Sequence, residues 1–161
     1  MAKRTQRNET EPSQALPRWQ SKIVGYGDAP VDQIVANEKN WRIHPQTQMD
    51  ALSGVLGDVG IVQNIVINRR TSEQWPPGDR GVETLVDGAA RVLLALREGQ
   101  ATLPTTYVDL TPGEEAEVLA TLDPLSAMAG ADREHLAALL QEVQSGSSAV
   151  QQMLSELAVR E

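Results

Sequence analysis

Leu85-Val86-Asp87-Gly88-Ala89-Ala90-Arg91 is the most informative segment of this chain. The apolar run before Asp87 predicts a strand, and the apolar residues around and after Arg91 predict a helix that begins directly after Gly88. Such a junction leaves the first amides of the helix unpaired at its positive end, which favours a phosphate or another anion. Gly88 lets the backbone approach a ligand, and Arg91 offers a fork of donors one turn into the helix. The pattern therefore predicts an anion site, with a tight turn and a surface arginine as the alternative.

Three further segments accompany this junction along the chain. They are residues 31–45, with the pattern N-x-R-x-H; residues 59–67, with Gly60 and Gln63; and residues 99–108, with Gly99 and Leu103-Pro104. With these segments, residues 31–123 resemble the N-terminal domain of the ParB/sulfiredoxin-like superfamily, of the ParB-like nuclease type found in phage proteins or joined to DNA methyltransferases. The resemblance implies an α/β (α+β) fold with a small mixed sheet, flanking helices and a C-terminal helical extension.

The same resemblance implies a nucleotide or phosphate site. Its cradle is formed by Gly88, Ala89, Ala90 and Arg91, and its facing wall by Asn40, Arg42 and His44. Asp87 is included among the nucleotide- or phosphate-binding residues; it is expected to cap the following helix, with orientation of Arg91 as the alternative. A nucleotide with Mg²⁺ is the implied cofactor, and Asp123 is the position that matches the family's metal contact, although Pro124 replaces the usual Asn after it.

The middle of the junction departs from the family. Where relatives carry polar or reactive residues after the glycine, this chain has Ala89 and Ala90, which can neither ligate a metal, transfer a proton nor attack. We therefore predict no catalytic residue and interpret the chain as an accessory binding module in DNA modification, packaging or segregation. Its expected partner is a DNA-processing protein, such as a methyltransferase or a packaging or segregation component. The alternatives are an active ParB-like nuclease or nucleotide hydrolase or kinase, and an assembly protein that has lost its ligand.

Composition narrows the classes of site. The chain has no Cys, which excludes disulfides and thiolate metal sites, and two separate His residues make a transition-metal site improbable. No apolar run approaches membrane-spanning length and no secretory signal opens the chain, so we expect a cytoplasmic protein without membrane contact. The motifs of P-loop, Rossmann, serine-hydrolase and zincin enzymes are absent. With no Phe, the core must be built from aliphatic residues.

Charge is distributed unevenly. Residues 1–22 carry a net charge of +3, residues 23–108 carry −3 and residues 109–161 carry −8. The last segment would repel DNA, and non-specific duplex binding needs clustered cations. We therefore expect DNA contact to be weak or to run through the basic N-terminal tail.

The pattern divides the chain into a disordered basic tail (1–20), the ParB/sulfiredoxin-like domain (21–124) and a helical extension (125–161). Strands are predicted at 31–35, 64–68, 82–86 and 104–108, and helices at 45–56, 89–98 and 112–122. Thr111-Pro112-Gly113-Glu114 is typical of a capped helix start, so the acidic residues Glu114, Glu115 and Glu117 are read as structural. Two amphipathic helices follow Asp132. They are expected to pack back on their own domain, with a homo-oligomer or partner interface as the alternative.

Overall fold

A four-stranded mixed sheet in the order β1-β4-β2-β3 forms the frame of the protein, for which a computed structural model describes residues 19–160. The central pair β2 and β4 runs parallel, and each flanking strand is antiparallel to its neighbour. The strands are β1 (Ile23–Pro30), β2 (Ile65–Asn68), β3 (Thr84–Asp87) and β4 (Thr102–Val108); the helices are α1 (Gln46–Asp58), α2 (Ala89–Glu98), α3 (Pro112–Ala127), α4 (Arg133–Glu142) and α5 (Ser148–Arg160). This mixed α/β architecture confirms the predicted fold class.

The first predicted strand is wrong. Residues Val31–Gln33 form a single 3-10 turn, and Val35 makes only an isolated bridge with Thr84. The apolar residues Val31 and Ile34 lie three positions apart, so a helical turn, rather than an alternating strand, directs both towards the core. The true first strand, Ile23–Pro30, was missed because its two glycines, Asp28 and Pro30 give no apolar alternation. Backbone pairing with β4 holds it in place.

The other strands and α2 follow the prediction closely. Strands β2, β3 and β4 lie within two residues of their predicted bounds, and α2 has the predicted bounds. Aliphatic side chains from the sheet and from α2 form the main core: Ala29, Val31, Ile65, Ile67, Leu85, Val92, Ala95 and Leu103. A second cluster of Met49, Ala90 and Leu94 joins α2 to α1. Helix α2 therefore packs against both the sheet and α1, while Leu93 and Leu96 remain exposed, and these contacts hold its N-terminus against the sheet.

Helix α3 begins as predicted but ends later. The Thr111 hydroxyl accepts from the Glu114 amide at 3.3 Å, and the Glu114 carboxylate accepts from the Thr111 amide at 2.9 Å, which completes the capping box. The predicted stop at Pro124 is wrong, because the helix continues to Ala127. A proline inside a helix loses its own amide donor and crowds the carbonyl four residues earlier. The ladder nevertheless resumes after it, because the Met128 amide donates to the Pro124 and Leu125 carbonyls.

One acidic residue of α3 is buried in a polar cluster. Glu115 is 1 % exposed and accepts hydrogen bonds from Asn37 (2.9 Å), Asn68 (2.7 Å) and Arg70 (2.7 and 3.1 Å). Arg70 also stacks over the Trp75 ring at 4.2 Å and adopts a positive φ of 53°. This Glu115 cluster ties α3 to β2 and to the loop that precedes α1, so the acidic residue is structural, as predicted, but through an ion pair.

The C-terminal extension packs back on the domain through α5. Val150 of α5 is buried against Gly54 of α1, and the Ser145 hydroxyl donates to Asp58 at 2.5 Å. Helix α4 buries no residue, although Asp132 caps it by accepting from the Glu134 and His135 amides. The prediction that the helices return to their own domain is thus confirmed for α5. The predicted tail of residues 1–20 lies outside the described residues except for its last two positions.

Replacing Gly54 with alanine should weaken the contact between α1 and α5. A Cβ at this position would lie 2.6 Å from the Ser147 Cβ and 2.8 Å from the Val150 Cγ2, so α5 must move. We expect a loss of about 1–3 kcal/mol in the free energy of unfolding, measured by chemical denaturation. Gly57→Ala in the same helix meets nothing within 4 Å and should stabilise by about 0.5–1 kcal/mol. Equal effects of the two substitutions would contradict the packing of α5 on α1.

Candidate functional site

The junction between β3 and α2 is built around Gly88. This residue is the N-cap of α2 and has φ 103° and ψ 21°, a left-handed backbone conformation that residues other than glycine rarely adopt. A Cβ here would lie 2.6 Å from the Cγ2 of Ile65, a core residue of β2 that is 1 % exposed. The close approach of β2 and the backbone conformation therefore both require glycine.

The first amides of α2 have no partner within the helix. The ladder starts with the Val92 amide, which donates to the Gly88 carbonyl at 3.0 Å, and no side chain caps the helix. The prediction that Asp87 is the cap is wrong. Asp87 lies one residue before the N-cap, and its carboxylate pairs with Arg91 at 3.2 Å and with Arg42 at 3.4 Å. The alternative role, orientation of Arg91, is the one that the structure shows.

Arg91 joins α2 to the loop that leads into β2. Its Nη1 donates to the Gln63 side chain at 2.6 Å, and its Nη2 donates to the Asn64 carbonyl at 3.3 Å and to Asp87 at 3.2 Å. The Arg91 side chain is 12 % exposed. Arg91 thus reaches back past the N-terminus of its own helix, and Gln63, which belongs to the second quoted segment, was a recognisable member of the site that the site prediction omitted.

Arg42 forms the opposite wall. Its side chain is 10 % exposed and pairs with Asp87 and, through Nε, with Asp123 of α3. Asn40 supports this loop by accepting the Arg42 amide at 3.2 Å but does not line the cavity, so its predicted place in the wall is not observed. His44 does line it, with Nδ1 3.1 Å from the Gln48 side-chain oxygen.

Arg42, His44, Asp87 and Arg91 line an open cavity of about 380 Å³ at the N-terminus of α2, called here the α2 cavity. Gly88, Ala89 and Ala90 form its floor, and Leu122, Asp123 and Ser126 of α3 close one side. Within the described part of the chain, four buried nitrogen atoms at the cavity lack a hydrogen-bond partner: Arg42 Nε, Arg42 Nη2, His44 Nε2 and Arg91 Nε. Of these, Arg42 Nε lies in ion-pair contact with Asp123. The cavity therefore combines free backbone amides with side-chain nitrogen atoms whose hydrogen bonds are unmade.

The contribution of α3 to the cavity was not predicted. Ser126 belongs to the part of the helix that continues beyond Pro124, whereas the sequence pattern predicts that the helix ends at about Leu122. Asp123 was predicted as a metal contact and is instead paired with Arg42 in this structure, so metal binding at Asp123 stays a prediction. Among residues 19–160, no three acidic or His side chains converge as a metal site would require. None of the helices in that range is long and apolar enough to cross a membrane.

The fold is similar to known chromosome-partitioning proteins. ParB from Caulobacter crescentus, C-terminally truncated and complexed with CTP-γ-S, matches with a TM-score of 0.56 at 20% identity, over 73% of this chain and 62% of that one. The same protein complexed to the centromeric parS site matches with a TM-score of 0.48 at 17% identity, over 80% and 64%. The Pnob8-like ParB-N domain matches with a TM-score of 0.48 at 12% identity, over 84% and 47%.

The comparisons define the fold and leave the activity open. This chain spans about three fifths of the length of the Caulobacter structure with CTP-γ-S, and at 20% identity that likeness concerns architecture. No protein-family model matches the sequence, and no curated protein does. The sheet order, the helix after Asp87-Gly88 and the structural match agree with the resemblance inferred from the four sequence segments. The chain therefore has the ParB-like N-terminal fold.

Proposed function

We propose that this protein binds a nucleotide, with a phosphate group at the N-terminus of α2. The observation that carries the proposal is the convergence of unpaired amides and buried, unpartnered nitrogen atoms on one cavity. An anion in this place would accept from Arg42 Nη2 and Arg91 Nε, and from the first amides of the helix. The similar ParB structure with CTP-γ-S supports a nucleoside phosphate as the ligand.

The proposed role is that of an accessory without catalytic activity. Ala89 and Ala90 line the cavity, and their methyl groups supply no acid, base or nucleophile. Mg²⁺ would accompany the nucleotide through its phosphate oxygens and Asp123, because this ion commonly uses one or two carboxylates together with phosphates. Release of inorganic phosphate from a nucleotide, or nicking of plasmid DNA, by the purified protein would contradict the non-catalytic role.

The proposed partner is a cytoplasmic protein of DNA modification, packaging or segregation. Helix α3, which forms one side of the cavity, belongs to the segment with a net charge of −8, and such a segment disfavours direct contact with DNA phosphates. DNA contact is accordingly assigned to the basic N-terminal residues or to the partner. The exposed Leu139 of α4 and Val143 directly after this helix are offered as the place where a partner or a second copy binds.

Replacing Arg91 with alanine should weaken nucleotide binding by about 10- to 100-fold, because one charged hydrogen-bonding group is worth about 1.5–3 kcal/mol. The measurement is calorimetric titration with CTP, ATP and GTP in the presence of Mg²⁺. Arg97→Ala is the matched control, since Arg97 lies at the other end of α2, is half exposed and pairs with Glu98. Arg42→Ala tests the opposite wall, and a thermal melt of each variant separates lost binding from lost folding.

The proposal fails if the unaltered protein binds none of the three nucleotides at millimolar concentration. It also fails if Arg91→Ala and Arg97→Ala change the affinity equally, because the ligand would then lie away from the α2 cavity.

A further inference from the structure

The ionised side chains that line the α2 cavity cancel one another in charge. Arg42 and Arg91 are the cations, and Asp87 and Asp123 are the carboxylates. Both guanidinium groups already pair with Asp87, at 3.4 and 3.2 Å, and Arg42 also pairs with Asp123. The formal charge of these four groups is zero. Attraction for an anion therefore comes from the helix N-terminus and from the unpartnered nitrogen atoms, rather than from excess positive charge.

Helix α3, which forms one wall of the cavity, contains no Lys or Arg. The wall formed by α3 belongs to the C-terminal segment with a net charge of −8, equal to that of the whole chain. Of the two carboxylates, Asp123 is the more exposed to solvent, whereas Asp87 lies between Arg42 and Arg91. The Asp123 carboxylate repels each further negative charge on a ligand, and this repulsion is screened less at the cavity than in bulk water.

We propose that, without Mg²⁺, this site prefers a nucleotide of low charge, and that the Asp123 carboxylate disfavours the additional charges of a triphosphate. The inference rests on the proposed function and specifies its ligand class. A phosphate monoester carries about two negative charges at neutral pH, and the free triphosphate carries more. One phosphate satisfies the free amides and nitrogen atoms of the cavity, while the additional charges of a triphosphate face a site that is already neutral. Mg²⁺ offsets those charges and removes the preference.

The test compares monophosphate and triphosphate of the same base. The full chain is titrated calorimetrically with CMP and CTP, AMP and ATP, and GMP and GTP, first with a chelator and then with Mg²⁺. We expect the monophosphate to bind at least as tightly as the triphosphate in chelator, and Mg²⁺ to improve the triphosphate selectively. Tighter binding of the free triphosphate in chelator would overturn the inference, whereas absence of binding by every nucleotide would overturn the proposed function itself.

Asp123→Asn provides the second arm of the test. Removing this carboxylate should strengthen binding of the free triphosphate by about three- to tenfold and of the monophosphate by less, because the repulsion grows with ligand charge. Glu117→Gln is the matched control, since it removes the same charge from the same helix at an exposed position that does not line the cavity. An equal gain for both nucleotides, or an equal gain with Glu117→Gln, would show that Asp123 does not set the preference.

Discussion

Glu115→Ala is expected to lower the free energy of unfolding by about 3–5 kcal/mol, because it leaves the Arg70 guanidinium charged and buried without its partner. The carboxylate is 1 % exposed and the Arg70 side chain is 8 % exposed, so water cannot replace the lost interactions. Asn37 and Asn68 lose an acceptor at the same time. The measurement is denaturant unfolding at neutral pH, followed by circular dichroism.

The same cluster makes the stability dependent on pH. Burial by itself raises the pKa of Glu115, but the hydrogen bonds from Arg70, Asn68 and Asn37 and the charge of Arg70 bring this pKa below its ordinary value of 4.5. A carboxyl group whose pKa is lower in the folded state stabilises the protein fully above about pH 4.5, and this contribution is lost as the pH falls through the folded pKa. The free energy of unfolding should therefore decline less steeply below that pH in Glu115→Gln than in the unaltered protein.

Glu117→Ala is the control for this prediction. Glu117 lies on the exposed side of α3, so its removal changes the charge of the same helix without touching Arg70. We expect a change within about 0.5 kcal/mol. A similar loss for Glu115→Ala and Glu117→Ala would contradict a stabilising role for the buried cluster and point to a general charge effect on α3.

Gly88→Ala is expected to cost about 2–5 kcal/mol and to weaken nucleotide binding at least about tenfold. A non-glycine residue at φ 103° pays about 1–2 kcal/mol of backbone strain, and the new Cβ, 2.6 Å from Ile65 Cγ2, adds an overpacking cost of about 1–3 kcal/mol. Relief of that contact must move the start of α2 away from β2. The amides at the floor of the cavity move with it, which is why affinity should fall together with stability.

Gly99→Ala separates the two causes. Gly99 ends α2, also has a positive φ, of 72°, and a Cβ there meets nothing within 4 Å. This variant should lose only the free energy of unfolding that backbone strain accounts for, and should keep its affinity for nucleotides. Combining Gly88→Ala with Ile65→Ala should cost less than the sum of the two single changes, because the second change removes the clashing methyl group. Strict additivity would contradict the contact between Gly88 and Ile65.

Local sequence signals predicted the elements whose chemistry is local. The start of α2 follows from Gly88 and the apolar run behind it, and the capping box of Thr111 and Glu114 follows from residues three positions apart. The strand Ile23–Pro30 was missed for the opposite reason, since its support comes from backbone pairing with β4, about eighty positions away in the chain. The end of α3 was misplaced because a proline inside a helix can be tolerated when neighbouring amides keep their acceptors.

The junction of strand, glycine and helix, and with it the free amides at the N-terminus of α2, could be predicted from the sequence alone. This is possible because backbone conformation and helix polarity depend on residues that are adjacent in the chain. The sequence did not predict that Asp87 lies between Arg42 and Arg91, that Asp123 pairs with Arg42 beside the cavity, or that Glu115 is buried. Those arrangements join charged groups from separate elements. Which charged groups pair depends on their distance and desolvation in the packed structure, and the spacing of residues along the chain does not predict it.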